Sequence, residues 1–479
     1  MLDKAFFTRS LNVHAYLGLM VGALMYLICL SGSLAVYYEE LERWEQPAAQ
    51  EYLEFDIETI DSAFNRLLQE NPDAVTPHMY VTLPTAANPR VAISTEEQGW
   101  YVDQSGNLGP TTAHPWSTLL TDLHLYLHLP ESWGMILVST LGVFLLALII
   151  SGFMSHRTLF KDAFKLRMFG NKQLEQTDLH NRLSVWGAPF YVVIAVTGAF
   201  FGLAMFALYL YASVYNQGDI QGLSKQVYGS EPELNQAIET IALAKAFQQM
   251  PDLAPQTTPL FAIVHDTGTP GQFIEIYSQY PNRLIYSDNF VFDASGRFLS
   301  RDGFSDGEAG KQIVYSMYRL HFGHFGGWWT KALYLILGLA LTVVSVSGVN
   351  LWLTKRRKRD AINNLWVGLV WGTLVALSVT AAYRFLTNDA PSWLFWLTLL
   401  VSAGYAHWVN HEASAKRHLI LAWLCSSVAV LITYVAQYGP AAATPISFWV
   451  NGLMLAIPLA FCTLTISNTR RLETNARPT

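Results

Sequence analysis

Eight stretches of mostly apolar residues, each long enough to cross a lipid bilayer, divide this 479-residue chain. A helix needs about 20 such residues to span the hydrocarbon core. Lipid offers no hydrogen-bond partners, so a single spanning segment must satisfy its own backbone, which means a helix. The stretches run from about His14 to Tyr37, Trp133 to Met154, Leu183 to Tyr211, Trp328 to Leu353, Leu365 to Leu386, Trp393 to Val409, Leu419 to Tyr438 and Ile446 to Ile466. The expected fold class is an integral membrane α-helical bundle of about eight transmembrane helices. A content of 52% apolar and 14% charged residues agrees with that class.

Basic residues in short loops set the orientation, because Lys and Arg are retained on the cytoplasmic side. Lys4 and Arg9 precede the first stretch, and Arg157, Lys161, Lys165, Arg167 and Lys172 follow the second. Lys355, Arg356, Arg357, Lys358 and Arg359 follow the fourth, and Lys416, Arg417, Arg470 and Arg471 complete the set. Both termini are expected in the cytoplasm of a bacterial cell, with the chain in the inner membrane. The long polar segments 39–131 and 213–327 then face the periplasm.

The first of these segments is acidic, and the net charge of −6 offers no basic patch for nucleic acid. The first apolar stretch is long, carries His14 and Tyr16 at its start and lacks a small-residue cleavage site, so it reads as a retained anchor. Cys29, Cys425 and Cys462 all fall in apolar stretches, which leaves the exported segments without a disulfide. No C-x-x-C-H haem attachment motif occurs.

The chain repeats itself. His14 and Gly32 recur as His180 and Gly198 at an offset of 166, so Leu30-Ser31-Gly32 matches Val196-Thr197-Gly198. Leu141-Gly142 and Ser151-Gly152 recur as Leu337-Gly338 and Ser347-Gly348 at an offset of 196. Each exported segment opens with a helical pattern, Ile57 to Glu70 and Glu233 to Gln249, and continues into alternating strands. Each then reaches a Ser-Gly turn, Asp103-Gln104-Ser105-Gly106 and Asp293-Ala294-Ser295-Gly296. An internal duplication accounts for this order.

The expected organisation is helix 8–38, an exported domain at 39–131, helix 132–155, a cytoplasmic loop at 156–182, helix 183–212 and a second exported domain at 213–327. Helix 328–354, a basic loop at 355–364 and a four-helix extension at 365–468 follow. Small residues at the repeated positions also suit simple helix packing. They do not explain a histidine recurring at one height, since an ionisable ring in a membrane helix normally has a partner.

Thirteen histidines are present. His14 and His180 mark one membrane face; His124 and His128, with His321 and His324, mark the other. Two facing imidazoles at one level suit both axial positions of a haem iron buried among apolar helices. Zinc, which favours four N or S ligands, is the weaker alternative, since no cysteine lies near either level. Filled axial positions favour electron transfer over chemistry at the iron.

His156 is an alternative ligand near the cytoplasmic face, or a solvated loop residue. His407 and His411 share a helix face but lie beside Asn410 and Glu412, as at a polar helix end. His78, His114, His265 and His418 read as surface residues. Trp133, Trp328 and Trp329 suit interfacial anchoring, and Gly323, Gly326 and Gly327 suit either a loop or close approach to a flat cofactor.

The segments Asp122-Leu123-His124, Leu320-His321-Phe322-Gly323 with Gly326-Gly327, and Leu11-Asn12-Val13-His14 resemble the PepSY-associated transmembrane family of iron-regulated inner-membrane proteins. The exported segments, with their Asp-x-Ser-Gly turns, look like small α+β PepSY domains. The resemblance covers about residues 8 to 355 and not the last four stretches.

That family includes haem-containing ferric siderophore reductases. The resemblance therefore implies two non-covalent b-type haems, ligated by His14 with His180 and by His124 with His321, in preference to His128 and His324. It implies reduction of a ferric siderophore, or another periplasmic iron complex, to the ferrous state. No dinucleotide-binding unit is visible, so the electron donor is expected to be separate, a quinol or a cytoplasmic reductase. The rival expectation is a non-catalytic regulator whose PepSY-like domains restrain a peptidase. A permease fits less well, because the repeats are parallel and the helices unbroken. For the extension, a quinone site, a dimer interface and a docking surface all stay open.

Overall fold

The computed structural model describes residues 4–155, 161, 164, 172–228, 231–238, 240–281 and 283–475. His156, Arg157, Lys165 and Arg167 lie outside the described residues. The chain divides into two compact units, Met1–Glu45 with Pro115–Leu203 and Lys331–Thr479, and Gln46–His114 with Ala204–Thr330.

The first unit is helical. Its long helices are α1 (Lys4–Ala35), α5 (Glu131–Ser155), the first part of α6 (Lys172–Tyr215) and most of α11 (Gly327–Lys355), with α12 (Ala361–Thr387), α13 (Ser392–Val409), α14 (Glu412–Tyr438) and α15 (Pro445–Asn475) from the extension. Two short helices, α2 (Tyr38–Glu45) and α4 (Pro115–Leu125), complete it. Seven helices among the described residues are long and apolar enough to cross a membrane. The eighth expected span forms α13, which at 18 residues reaches about 27 Å against a hydrocarbon core of about 30 Å. The third span starts earlier than its apolar stretch, since α6 opens at Lys172 and takes His180 into the helix proper.

Small residues set the close crossings between these helices. A methyl group on Gly142 of α5 would lie 2.8 Å from the backbone nitrogen of Ala199 on α6, and one on Gly338 of α11 would meet the Ser33 hydroxyl of α1 at 2.5 Å. The repeated Leu-Gly pairs are thus places where a side chain is excluded so that helices touch.

The second unit is built on one eight-stranded antiparallel sheet of order β4-β3-β2-β1-β5-β6-β7-β8. The strands are β1 (Met79–Thr82), β2 (Val91–Ser94), β3 (Gly99–Val102), β4 (Leu108–Thr111), β5 (Thr258–His265), β6 (Phe273–Gln279), β7 (Asp288–Asp293) and β8 (Phe298–Asp302). Helix α3 (Ile57–Glu70) starts at Asp56, whose carboxylate accepts from the Thr59 amide at 3.2 Å. It buries Ile60, Ala63, Phe64 and Leu67 at helical spacing. These pack in one core with Met79, Val81, Ala262, Val264, Ile274 and Ile276, together with Leu243, Ala246 and Phe247 from the short helix α8 (Leu243–Gln248).

Two separate exported domains were expected from the sequence; the structure joins them into a single sheet. Strands β1 and β5 pair from Met79 opposite Val264 to Thr82 opposite Phe261. Either half alone would leave its edge amides and carbonyls unpaired, and the joint closes both edges. The two Ser-Gly turns are built alike. The Asp103 and Asp293 carboxylates each accept from the amide four residues on, at 2.9 Å, and Gly106 and Gly296 take positive φ of 81° and 77°.

Candidate functional site

His14 falls on the face of α1 that also carries Gly18 and Gly22, at four-residue spacing. With residues of α5, α6 and α11 this face lines a cavity of about 430 Å³. Most of the lining is apolar, including Met25, Leu145, Leu148, Leu341 and Val344, and its polar members include Thr177, Asn181, Ser184 and Lys355. His14 and His180 both line it, their ring centres 6.2 Å apart and their planes inclined at 75°.

Each ring is held from behind by its Nδ1. His14 Nδ1–H donates to the Leu148 carbonyl of α5 at 2.9 Å, and His180 Nδ1–H donates to the Val344 carbonyl of α11 at 3.1 Å. A carbonyl can only accept, so the proton belongs on Nδ1 and the Nε2 lone pair stays available. Among the described residues, no protein atom hydrogen-bonds to either Nε2. The Ser151 and Ser347 hydroxyls approach the same Nδ1 atoms at 3.4 and 3.2 Å. A methyl group on Gly152 or Gly348 would lie 3.2 Å from the Cε1 of the corresponding ring.

A haem is the group this site has to be tested against. An iron bonded to both Nε2 atoms at about 2.0 Å, with the rings on opposite sides, places the ring centres about 6.3 Å apart. The observed 6.2 Å agrees. Two neutral, back-bonded imidazoles in an apolar cavity fit an axial pair, and a carbonyl partner on the far nitrogen is the usual arrangement around metal-bound histidine.

His124 uses the same local arrangement. Its Nδ1–H donates to the Ile28 carbonyl of α1 at 3.0 Å, and Ser31 and Gly32 follow three and four residues later. A methyl group on Gly32 would collide with the His124 ring. At all three histidines, then, a carbonyl, a hydroxyl three residues on and a glycine one further form a flat notch on a helix. Leu148, Ser151 and Gly152 form one notch; Val344, Ser347 and Gly348 form another; Ile28, Ser31 and Gly32 form the third. Burial pushes the His124 imidazole below its ordinary value against the pull of the Ile28 bond, which keeps the ring neutral.

Helix α4, which carries His124, is clamped at its start. The Glu45 carboxylate accepts from the Trp116 and Ser117 amides at 3.1 and 2.6 Å and pairs with Arg384 of α12 at 3.0 Å. Glu45 is fully buried and the Arg384 side chain only 4% exposed. Burial pushes the Glu45 carboxyl above its ordinary value, opposed by its bonds to Ser117 and Trp116 and by Arg384. Beside it, Trp44 stacks on Tyr434 at 5.5 Å and meets Phe385 at 4.9 Å, while the Trp116 indole donates to the Leu377 carbonyl at 2.9 Å. The extension thus grips α2 and α4. On α11, Lys331 pairs with Glu39 at 2.7 Å and Glu40 at 2.9 Å, a second tie to α2.

The other histidines are dispersed. His128 sits in the turn after α4 with φ of 56°, donates from Nε2 to the Leu119 carbonyl at 2.8 Å, and packs edge-on against Phe395 and Trp396 of α13. His321, near the end of α10 (Ala309–Phe322), and His324 belong to the second unit. His411 caps α14, its Nδ1 accepting from the Ser414 amide, and His407 ends α13. His418 bonds the Tyr405 hydroxyl. His114 is buried against the Tyr101 hydroxyl at 2.8 Å and is not a surface residue. The sequence repeat contained the Ser-Gly notches, but as words that also suit helix packing. Nothing local in the sequence marks Glu45 as the partner of Arg384, 339 positions away.

Over residues 11–355 the chain matches the PepSY-associated TM region. It is also similar to the uncharacterized protein PA4219 of Pseudomonas aeruginosa, with 26% identity over 313 residues, covering 60% of this chain and 78% of that protein.

Proposed function

The chain belongs to the PepSY-associated TM family, and from that premise we propose that it is a haem-dependent electron-transfer protein of the bacterial inner membrane. Its task in this reading is to reduce a ferric siderophore, or another periplasmic iron complex, to the ferrous state for iron acquisition. The observation that carries the reading is the His14–His180 pair: two anchored imidazoles 6.2 Å apart, both lining an apolar cavity.

Haem held by two imidazoles supplies a one-electron carrier with no open coordination position. The residues do the rest. Leu148 and Val344 fix the tautomers, Ser151 and Ser347 flank the Nδ1 atoms, and Gly152 and Gly348 let the rings lie close to α5 and α11. The apolar lining excludes water, which with ligand identity sets the potential. We assign the second, outer pair to His124 and His321. The family resemblance supports this, and the engagement of His128 with Leu119, Phe395 and Trp396 supports His124 over His128. The pattern of basic loops supports cytoplasmic termini and a periplasmic sheet unit, and a quinol or a cytoplasmic reductase would serve as the separate donor.

A reduced-minus-oxidised absorbance spectrum of the purified protein tests the proposal. Sharp bands of six-coordinate b-type haem at two per chain are expected. A colourless protein from iron-replete cells would refute it and leave the non-catalytic regulator as the better reading.

A further inference from the structure

We propose that His78 and His265, at the junction between β1 and β5, form a binding site for a divalent first-row transition-metal ion. The ladder pairs Met79 with Val264, so the next step out sets His78 opposite His265. Met79 and Val264 are both buried in the core under α3 and α8. Alternation along the strands therefore turns the two histidines to the other face of the sheet.

The rings meet at right angles, with centres 5.2 Å apart and planes at 87°. Two imidazoles bound to one ion at about 2.0–2.1 Å, with a tetrahedral angle between them, hold their ring centres about 5.2 Å apart. The membrane-helix pair at 6.2 Å fits ligands on opposite sides of an ion; this one fits ligands on adjacent corners.

Each ring has a carboxylate behind it. His78 Nδ1–H donates to Glu96 at 2.7 Å, and His265 Nε2–H donates to Glu275 at 3.1 Å. A carboxylate accepts, so the far nitrogen of each ring, Nε2 of His78 and Nδ1 of His265, keeps its lone pair for an ion. Glu275 is itself fixed by the Tyr277 hydroxyl at 2.8 Å and the Asn289 amide at 2.9 Å. Phe273 stacks on His265 at 4.3 Å and sets the tilt of that ring. His265 Nδ1 is buried with no hydrogen-bond partner, an arrangement that costs free energy unless something else uses the lone pair.

No group of three or more His, Cys, Asp or Glu side chains gathers around one point among the described residues. The pair therefore supplies two ligands and leaves the other positions to water or to a chelator arriving with the ion. Imidazole selects the class, since it suits zinc, copper, iron and nickel better than calcium or magnesium. An open coordination sphere suits exchange more than permanent structure.

Calorimetric titration of the untagged, full-length protein in detergent with Zn²⁺ tests the site. One saturable site per chain is expected. His78→Ala and His265→Gln should each weaken it at least tenfold, and Glu275→Gln by about 10- to 100-fold. Cu²⁺ bound to the wild type should show nitrogen coupling from two imidazoles by electron paramagnetic resonance, lost in the double variant. The haem bands should stay unchanged throughout, so failure here is distinct from failure of the electron-transfer reading. An unaltered titration in the His78→Ala/His265→Gln double variant would overturn the proposal.

Discussion

The pair His14–His180 and the single His124 are seated alike but supported differently. The pair is self-contained. Its rings, notches and cavity walls come from α1, α5, α6 and α11, all within the stretch that matches the family. The seat of His124 uses the same kind of notch on α1, yet the helix that brings the ring there is braced by the Leu377 carbonyl and, through Glu45, by Arg384, which lie beyond that stretch. One seat depends on helix contacts of the shared core, and the other leans on an appendage. Variants that separate the two regions test this difference.

The largest effect is expected from the two histidines proposed as ligands. His14→Ala or His180→Ala should remove one haem per chain and leave the other. Haem content by extraction checks it. Next comes Arg384→Ala, which leaves Glu45 buried without its partner and should cost about 3–5 kcal/mol. Thermal unfolding in detergent should register the loss, and the outer haem band should weaken before the inner one.

Gly32→Ala should act on the outer seat alone, at a cost of about 1–3 kcal/mol for overpacking against His124. Gly348→Ala should be milder, because its added methyl would meet the His180 ring at 3.2 Å where that at Gly32 collides. Comparing the two haem potentials in this pair of variants checks the ranking. The smallest effect is expected for Ser347→Ala, which removes one hydroxyl contact worth about 1 kcal/mol and should shift the inner potential without losing haem.

The legibility of these features in the sequence differs for physical reasons. Spans of apolar residues announce themselves, because lipid imposes one rule along a whole helix. The spacing of His14 and His180 was equally readable, as was the repeat that carries Ser151-Gly152 and Ser347-Gly348. Which glycines seat a ring and which seat a helix was not readable, since Gly142 and Gly152 differ only in what lies opposite them. The joining of two halves into one sheet was hidden because edge pairing depends on residues far apart in the chain, Met79 opposite Val264 and Thr82 opposite Phe261. The Glu45–Arg384 pair was hidden for the same reason.

Electron paramagnetic resonance of the oxidised protein tests the central claim most directly. If His14 and His180, whose planes stand at 75°, hold one iron as proposed, the protein should give a strongly anisotropic low-spin signal, converted to high-spin or lost in His180→Ala. A wild-type protein with no low-spin signal, or one whose signal survives His180→Ala unchanged, would contradict the account.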